Sequence, residues 1–272
     1  MVTVIPVGPN CQAKFVDDTL ASVRHYVPLS RFIVLDDSGR GTGAGVGKDY
    51  DATVITTPGR GKGDGLYLTL SEGFREALLD PFDVLLRIDT DAVVAGGTFV
   101  ESARRMFADN PKLGSVGSAN IGNFKTDPSA RRGLLRNIRN PWCLVSDPRT
   151  ALATATLTAR SRMHGYPIGS YVFGGVCLYS RNGIQGLHEA SLLGRTTFAT
   201  MGVPEDHLFG LLLTSAGFDL ATLEAMMGIR WRTLPASPQD LLAAGRELVH
   251  SVRTWEAMDE TAIRAVFAAA RR

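Results

Sequence analysis

Asp83-Val84-Leu85-Leu86-Arg87-Ile88-Asp89-Thr90-Asp91 decides how this chain is read. A mainly apolar run of strand character ends abruptly in two carboxylates flanking a threonine. Strand side chains alternate faces, so Asp89 and Asp91 point the same way for as long as the strand geometry persists. Where a strand loosens into a loop, two such carboxylates can converge on one divalent cation, whose oxygen shell is commonly completed by waters and substrate phosphates. A lone Asp-x-Asp is weakly specific, because many are solvated loop acids. An apolar strand emptying into one is a rarer event, and open α/β sheets bind ligands beyond their strand C-termini.

Outward from this stretch, strand and helix patterns alternate. Val2–Val7 is a short apolar strand closed by Pro6, Gly8 and Pro9. Val16, Leu20 and Val23 recur at helical spacing, with Asp17 and Asp18 expected at that helix's N-terminus. Residues 31–37 and 52–57 read as strands, Leu66, Leu70, Phe74 and Leu78 mark a second helix, and 83–91 is the fourth strand. The alternation predicts an α/β fold, a mostly parallel sheet with helices on both faces. Further on, Phe99, Ala103, Met106 and Phe107 form a helix ended by Pro111. Residues 118–169 read as irregular and basic, with Lys125, Arg131, Arg132, Arg136, Arg139, Arg149, Arg160 and Arg162 against Asp127 and Asp147. A strand containing Gly174-Gly175 follows, then helical patterns over 182–193 and 205–216. A tail helix is expected over 255–272, carrying Met258, Ile263, Val266, Phe267 and Ala270.

With 272 residues, 44% of them hydrophobic, the chain can bury a substantial core. One domain is expected, in two halves of about 1–93 and about 94–254 followed by a C-terminal helix over about 255–272. A net charge of +2 is not that of a dedicated nucleic-acid binder. Cys11, Cys143 and Cys177 are odd in number and form no CxxC pair, which fits a reducing compartment and argues against a disulfide framework or a structural zinc site. The N-terminus lacks the basic and apolar regions of a signal peptide, and no apolar run approaches a membrane span, so a cytoplasmic location is expected.

The glycine-rich run 38–48 is a decoy for a phosphate loop. The P-loop pattern needs Gly where Thr42 stands and Ser or Thr where Asp49 stands, and an acid there would repel phosphate. The run therefore reads as a flexible surface connection. It also hints at the glycine-rich loop of sugar-phosphate nucleotidylyltransferases, but that loop follows the first strand, where this chain has Pro6-Val7-Gly8-Pro9-Asn10.

Taken together, the strand ends form an ordered set: Val4-Ile5-Pro6-Val7, Val34-Leu35-Asp36-Asp37-Ser38-Gly39, Leu86-Arg87-Ile88-Asp89-Thr90-Asp91, Phe173-Gly174-Gly175 and Pro204-Glu205-Asp206-His207. Over residues 2–220 this order and spacing resembles a GT-A glycosyltransferase, most similar to the inverting family 2. The resemblance implies transfer of a sugar from a nucleotide-diphosphate donor, UDP-linked by preference, with Mn²⁺ or Mg²⁺ on Asp89 and Asp91. It assigns Pro6, Asp37, Arg60, Lys62, Asp89, Thr90, Gly174 and Gly175 to the nucleotide sugar, Asp206 to the general base and Glu205 to acceptor positioning. Members of the fold often bring back a C-terminal histidine as a third metal ligand, a place His250 can fill, whereas others carry Gln-x-x-Arg-Trp. Here Trp255 is displaced by one residue from the spacing that Arg253 would set, so neither pattern matches cleanly. The acceptor is left open, and the arginine-rich segment admits an anionic glycan, lipid or nucleic acid. The alternatives are a retaining GT-A enzyme, a glycosyltransferase acting on modified DNA bases, and a non-catalytic nucleotide-binding module.

Overall fold

The alternation of apolar strands and amphipathic helices resolves into layers around one large sheet. The computed structural model describes residues 1–61, 64–121, 129–223, 226–230 and 232–271. β1 (Val2–Val7), α1 (Ala13–Tyr26), β2 (Arg31–Asp36), α2 (Thr42–Gly47), β3 (Thr53–Thr56), α3 (Asp64–Leu78) and β4 (Val84–Ile88) follow one another, and the strands lie parallel in the order β3-β2-β1-β4. β1, β2 and β4 are buried along nearly their whole length, as strands covered on both faces must be. One face receives Val16, Leu20 and Val23 of α1, and the other Tyr67, Leu70 and Phe74 of α3.

The chain then crosses to the far side of the sheet. β5 (Ala92–Val94), α4 (Phe99–Asp109) and β6 (Leu113–Asn120) precede three helices, α5 (Ser129–Arg139), α6 (Pro141–Ser146) and α7 (Pro148–Met163). β7 (Tyr171–Ser180) comes back antiparallel between β4 and β6, and α8 (Arg181–Glu189), α9 (Thr196–Ala199) and α10 (Glu205–Ser215) lead to β8 (Asp219–Thr222), parallel to β6. The seven-stranded order is β3-β2-β1-β4-β7-β6-β8. The remaining elements are β9 (Met227–Gly228), α11 (Pro238–Ala243), β10 (Leu248–His250), β11 (Thr254–Trp255), β12 (Met258–Asp259) and α12 (Glu260–Ala270). β10 joins β5 antiparallel and β9 parallel in a second small sheet, over which α12 buries Ile263 and Phe267.

This is the predicted α/β class, and its strand order reverses direction between β1 and β4, where such sheets open a ligand crevice. β1 pairs with β2 as far as Val7↔Asp36, but its pairing with β4 ends at Val4↔Arg87. Pro6, which has no N–H to donate, lies past that parting, where a ladder bond is not required.

Four local expectations are corrected. The glycine run is no loose connection, because Thr42–Gly47 is helical and packs on β2. A Cβ on Gly43 would stand 2.9 Å from Val34 Cγ1, so the glycines permit that close approach. Asp17 and Asp18 lie a turn inside α1, which starts at Ala13. The described part of 118–169 is largely helical, while Lys125 and Asp127 lie outside the described residues. The tail helix starts only at Glu260, since Trp255 and Met258 pair across a two-stranded hairpin.

Candidate active site

β4 delivers Asp89, Thr90 and Asp91 into the crevice, and the backbone of their turn is tied on several sides. Asp89 N–H donates to Gly175 O at 2.8 Å, Ala92 N–H to Asp89 O at 3.1 Å and Val252 N–H to Asp91 O at 3.0 Å. From behind, buried Arg264 of α12 donates to Thr90 O at 2.6 Å while pairing with Asp18 and Glu260. Thr90 Oγ1 lies 3.0 Å from Cys11 Sγ.

Pairing of β5 with β10 sets His250 opposite Ala92, beside Asp91. Single donor atoms of Asp89, Asp91 and His250 all lie within 4.8 Å of one another. Two carboxylates and an imidazole are a donor set suited to Mn²⁺ and usable by Mg²⁺, so these side chains fit the implied metal. His250 Nε2 is 3.4 Å from Asp91 Oδ1, and Arg253 Nε is 2.7 Å from Asp91 Oδ2. Burial works against ionised Asp91, but His250 and Arg253 overcome it and hold the carboxyl down at about 2. Asp89 is pushed up to about 6, chiefly by burial, with Asp91 adding to the rise and Arg87 opposing it. A bound cation would favour both carboxylates in their ionised form.

Arg87 is the site residue whose role the sequence reading missed. Its side chain is fully buried, and its Nη2 sits 3.3 Å from Asp89 Oδ1 and 2.7 Å from Glu205 Oε1. Its Nε and Nη1 have no hydrogen-bond partner among the described residues. The signal was present in the quoted stretch: a cation two residues before Asp89 in an apolar strand shares the face of that acid. Gly174 and Gly175 of β7 owe their identity to these neighbours. A Cβ on Gly174 would lie 2.4 Å from Arg87 Nη1, and one on Gly175 would lie 2.2 Å from His250 Nε2.

Glu205 and Asp206 open α10 after Pro204. Glu205 faces inward onto Arg87. Asp206 Oδ2 accepts from Gly174 N–H at 3.3 Å and Oδ1 from His207 N–H at 2.8 Å. Burial, with Glu205 adjoining, raises the Asp206 carboxyl above its ordinary range. Asp37 closes a separate knot: its carboxylate accepts from Thr57 Oγ1, from Arg60 N–H at 2.7 Å and from Gly61 N–H at 2.6 Å, which shapes the loop after β3. The Arg60 guanidinium pairs with Glu72 at 2.7 Å, and Lys62 lies outside the described residues.

No protein-family model and no curated protein matches the chain. Among solved structures, the galactosyltransferase LgtC, determined in complex with donor and acceptor sugar analogs, has a similar fold. The two share 12% identity over 99% of this chain and 96% of that one, with a TM-score of 0.51. A likeness at that identity is one of architecture, and the architecture of this chain is the GT-A, Rossmann-like type.

Proposed function

We propose that this protein is a metal-dependent glycosyltransferase that moves a sugar from a nucleotide-diphosphate donor, UDP-linked by preference, to an acceptor hydroxyl with inversion at the anomeric carbon. The observation that carries this reading is the linkage of two acidic pairs through one nitrogen. Arg87 Nη2 contacts Asp89 of the candidate metal cluster and Glu205 beside Asp206. The cluster stands at the crevice where such sheets bind ligands.

Asp89, Asp91 and His250 are the residues that would hold Mn²⁺ or Mg²⁺. When bound, the ion neutralises charge building on the leaving diphosphate as a Lewis acid. Arg253, half exposed on Asp91, brings a further positive charge to the same place. Across the site, Asp206 takes the proton from the acceptor hydroxyl as that oxygen attacks. A carboxyl raised by burial suits this role, because a base works best with a pKa near the operating pH. Gly174 N–H and His207 N–H aim its carboxylate, and Glu205, held by Arg87, fixes the turn it stands on. Asp37 shapes the loop assigned to the nucleotide.

Thermal-shift titration with UDP-sugars tests this directly, since a ligand that binds only the native state raises its stability. A shift that requires both UDP-sugar and Mn²⁺, followed by a β-linked product from an α-linked donor, is the expected result. A retained configuration would overturn inversion, and the absence of any nucleotide-sugar shift would overturn the activity.

A further inference from the structure

The helices α5, α6 and α7 form a surface that the transfer reaction does not explain. Residues 129–169 contain Arg131, Arg132, Arg136, Arg139, Arg149, Arg160 and Arg162 against a single acid, Asp147. The Asp147 carboxylate is occupied in capping α7, accepting from Thr150 N–H at 3.1 Å. α5 turns Leu134 and Asn137 inward and leaves Arg131, Arg132, Arg136 and Arg139 exposed. α6 buries no residue, and exposes Trp142 at 75%, Val145 at 78% and Leu144 at 48%. Exposed apolar residues scattered singly are ordinary, but three on one short helix beside an arginine-rich face mark an interaction site. Leu152 and Met163 of α7 are exposed as well.

Between α5, α7 and the turn before β7 lies a cavity of about 340 Å³ lined by Arg131, Leu135, Arg139, Arg162, Pro167 and Ile168. A lining of arginines together with Leu135, Pro167 and Ile168 matches a phosphate attached to a hydrocarbon. No carboxylate pairs with Arg139 or Arg162 among the described residues. Ile168, on the cavity wall, lies three residues before Tyr171, whose ring lies 3.7 Å from that of His207, centroid to centroid.

We propose that this face docks on an anionic phospholipid bilayer, with a lipid phosphate in the arginine-lined cavity and Trp142, Leu144 and Val145 in the interfacial layer. Tryptophan and aliphatic side chains set beside arginine are what an element lying in that layer presents. Anionic lipid headgroups supply the charge the face lacks. A nucleic acid would meet the arginines but leave the apolar helix without a partner. The proposal rests on no step of sugar transfer, so either reading can fail alone.

Flotation with vesicles tests it, in phosphatidylcholine alone and in mixtures with phosphatidylglycerol. The protein is expected to float with the mixed vesicles, to stay behind with the neutral ones and to be released by high salt. Arg139→Gln with Arg162→Gln should weaken partition about 10- to 30-fold, from about 1 kcal/mol per basic residue near an anionic surface. Trp142→Ser with Val145→Ser should weaken it as well, and all four positions are exposed, so folding is not at stake. Brominated phosphatidylglycerol should quench tryptophan emission, and Trp142→Phe should remove the quenched component while flotation persists. Equal flotation with both vesicle types, none with either, or quenching unchanged by Trp142→Phe would overturn the proposal. Displacement by inorganic phosphate at constant ionic strength would assign the cavity to a soluble phosphate compound instead, and tighter binding to duplex DNA would assign the face to nucleic acid. Either result overturns the membrane assignment.

Discussion

Asp89 and Asp91 leave a strand, Glu205 and Asp206 begin a helix, and that difference in backbone separates what the two pairs can do. Asp89 follows the last residue of β4 and Asp91 closes the turn whose Ala92 N–H donates to Asp89 O, and that turn brings both carboxylates together with His250, within 4.8 Å. Neighbours on a helix point about 100° apart, so Glu205 turns onto Arg87 while Asp206 meets Gly174 N–H. The first pair is built to share one ligand. Under the proposed function, the second divides its work between fixing the site, by Glu205, and carrying a proton, by Asp206. Arg87 is common to both, and its burial makes the two halves of the site depend on one cation.

The hardest test of this contrast removes the shared ligand. Asp91→Ala should abolish Mn²⁺-dependent UDP-sugar binding, read as loss of the metal-dependent thermal shift, and Asp89→Ala should weaken it strongly. Full activity of Asp91→Ala in the presence of a chelator would break the assignment.

The helix-start pair should respond differently. Asp206→Asn is expected to lower kcat about 10²–10⁴-fold while UDP-sugar affinity with Mn²⁺ stays near that of the unaltered protein. A base acts only when deprotonated, so kcat should fall as pH drops through the raised Asp206 pKa. That acid limb should lie above the ordinary carboxylate range and vanish from the residual activity of Asp206→Asn. Loss of donor binding along with turnover would show that the division between the pairs is wrong.

Arg87→Met probes what joins them. Removing one partner of a buried ion pair typically costs about 3–5 kcal/mol, because the remaining charge is left uncompensated. Here Asp89 and Glu205 would both lose their buried cation, and the denaturant midpoint should fall accordingly. Glu205→Gln, whose amide oxygen still accepts from Arg87, should cost less. An Arg87→Met protein of unchanged stability would remove the coupling.

How much of this was legible in the sequence varies along the chain. The first four strands and their helices could be read because each carries its own periodicity: Val16, Leu20 and Val23 on α1, and Leu70 and Phe74 on α3. α7 escaped because its buried face is Thr150, Ala151, Thr154, Leu157, Thr158 and Ser161, a largely small and polar stripe without an apolar signal. Thr154 Oγ1 donates to Thr150 O at 2.7 Å, which lets such a stripe be buried within the helix itself. α2 escaped because glycine reads as a turn residue until a neighbouring strand is known to lie close enough to require it.

For the site, the residue types and their local order determined the Asp-x-Asp turn, the glycine pair and the acidic helix start. Tertiary structure alone decided that β7 returns between β4 and β6, that β10 sets His250 beside Asp91, and that Arg87 meets a glutamate 118 residues away. Periodicity is a property of neighbours along the chain, whereas an ion pair across the sheet depends on strand order and register. Burial then does what no motif encodes: it raises Asp206, and it makes a single arginine indispensable to two acids.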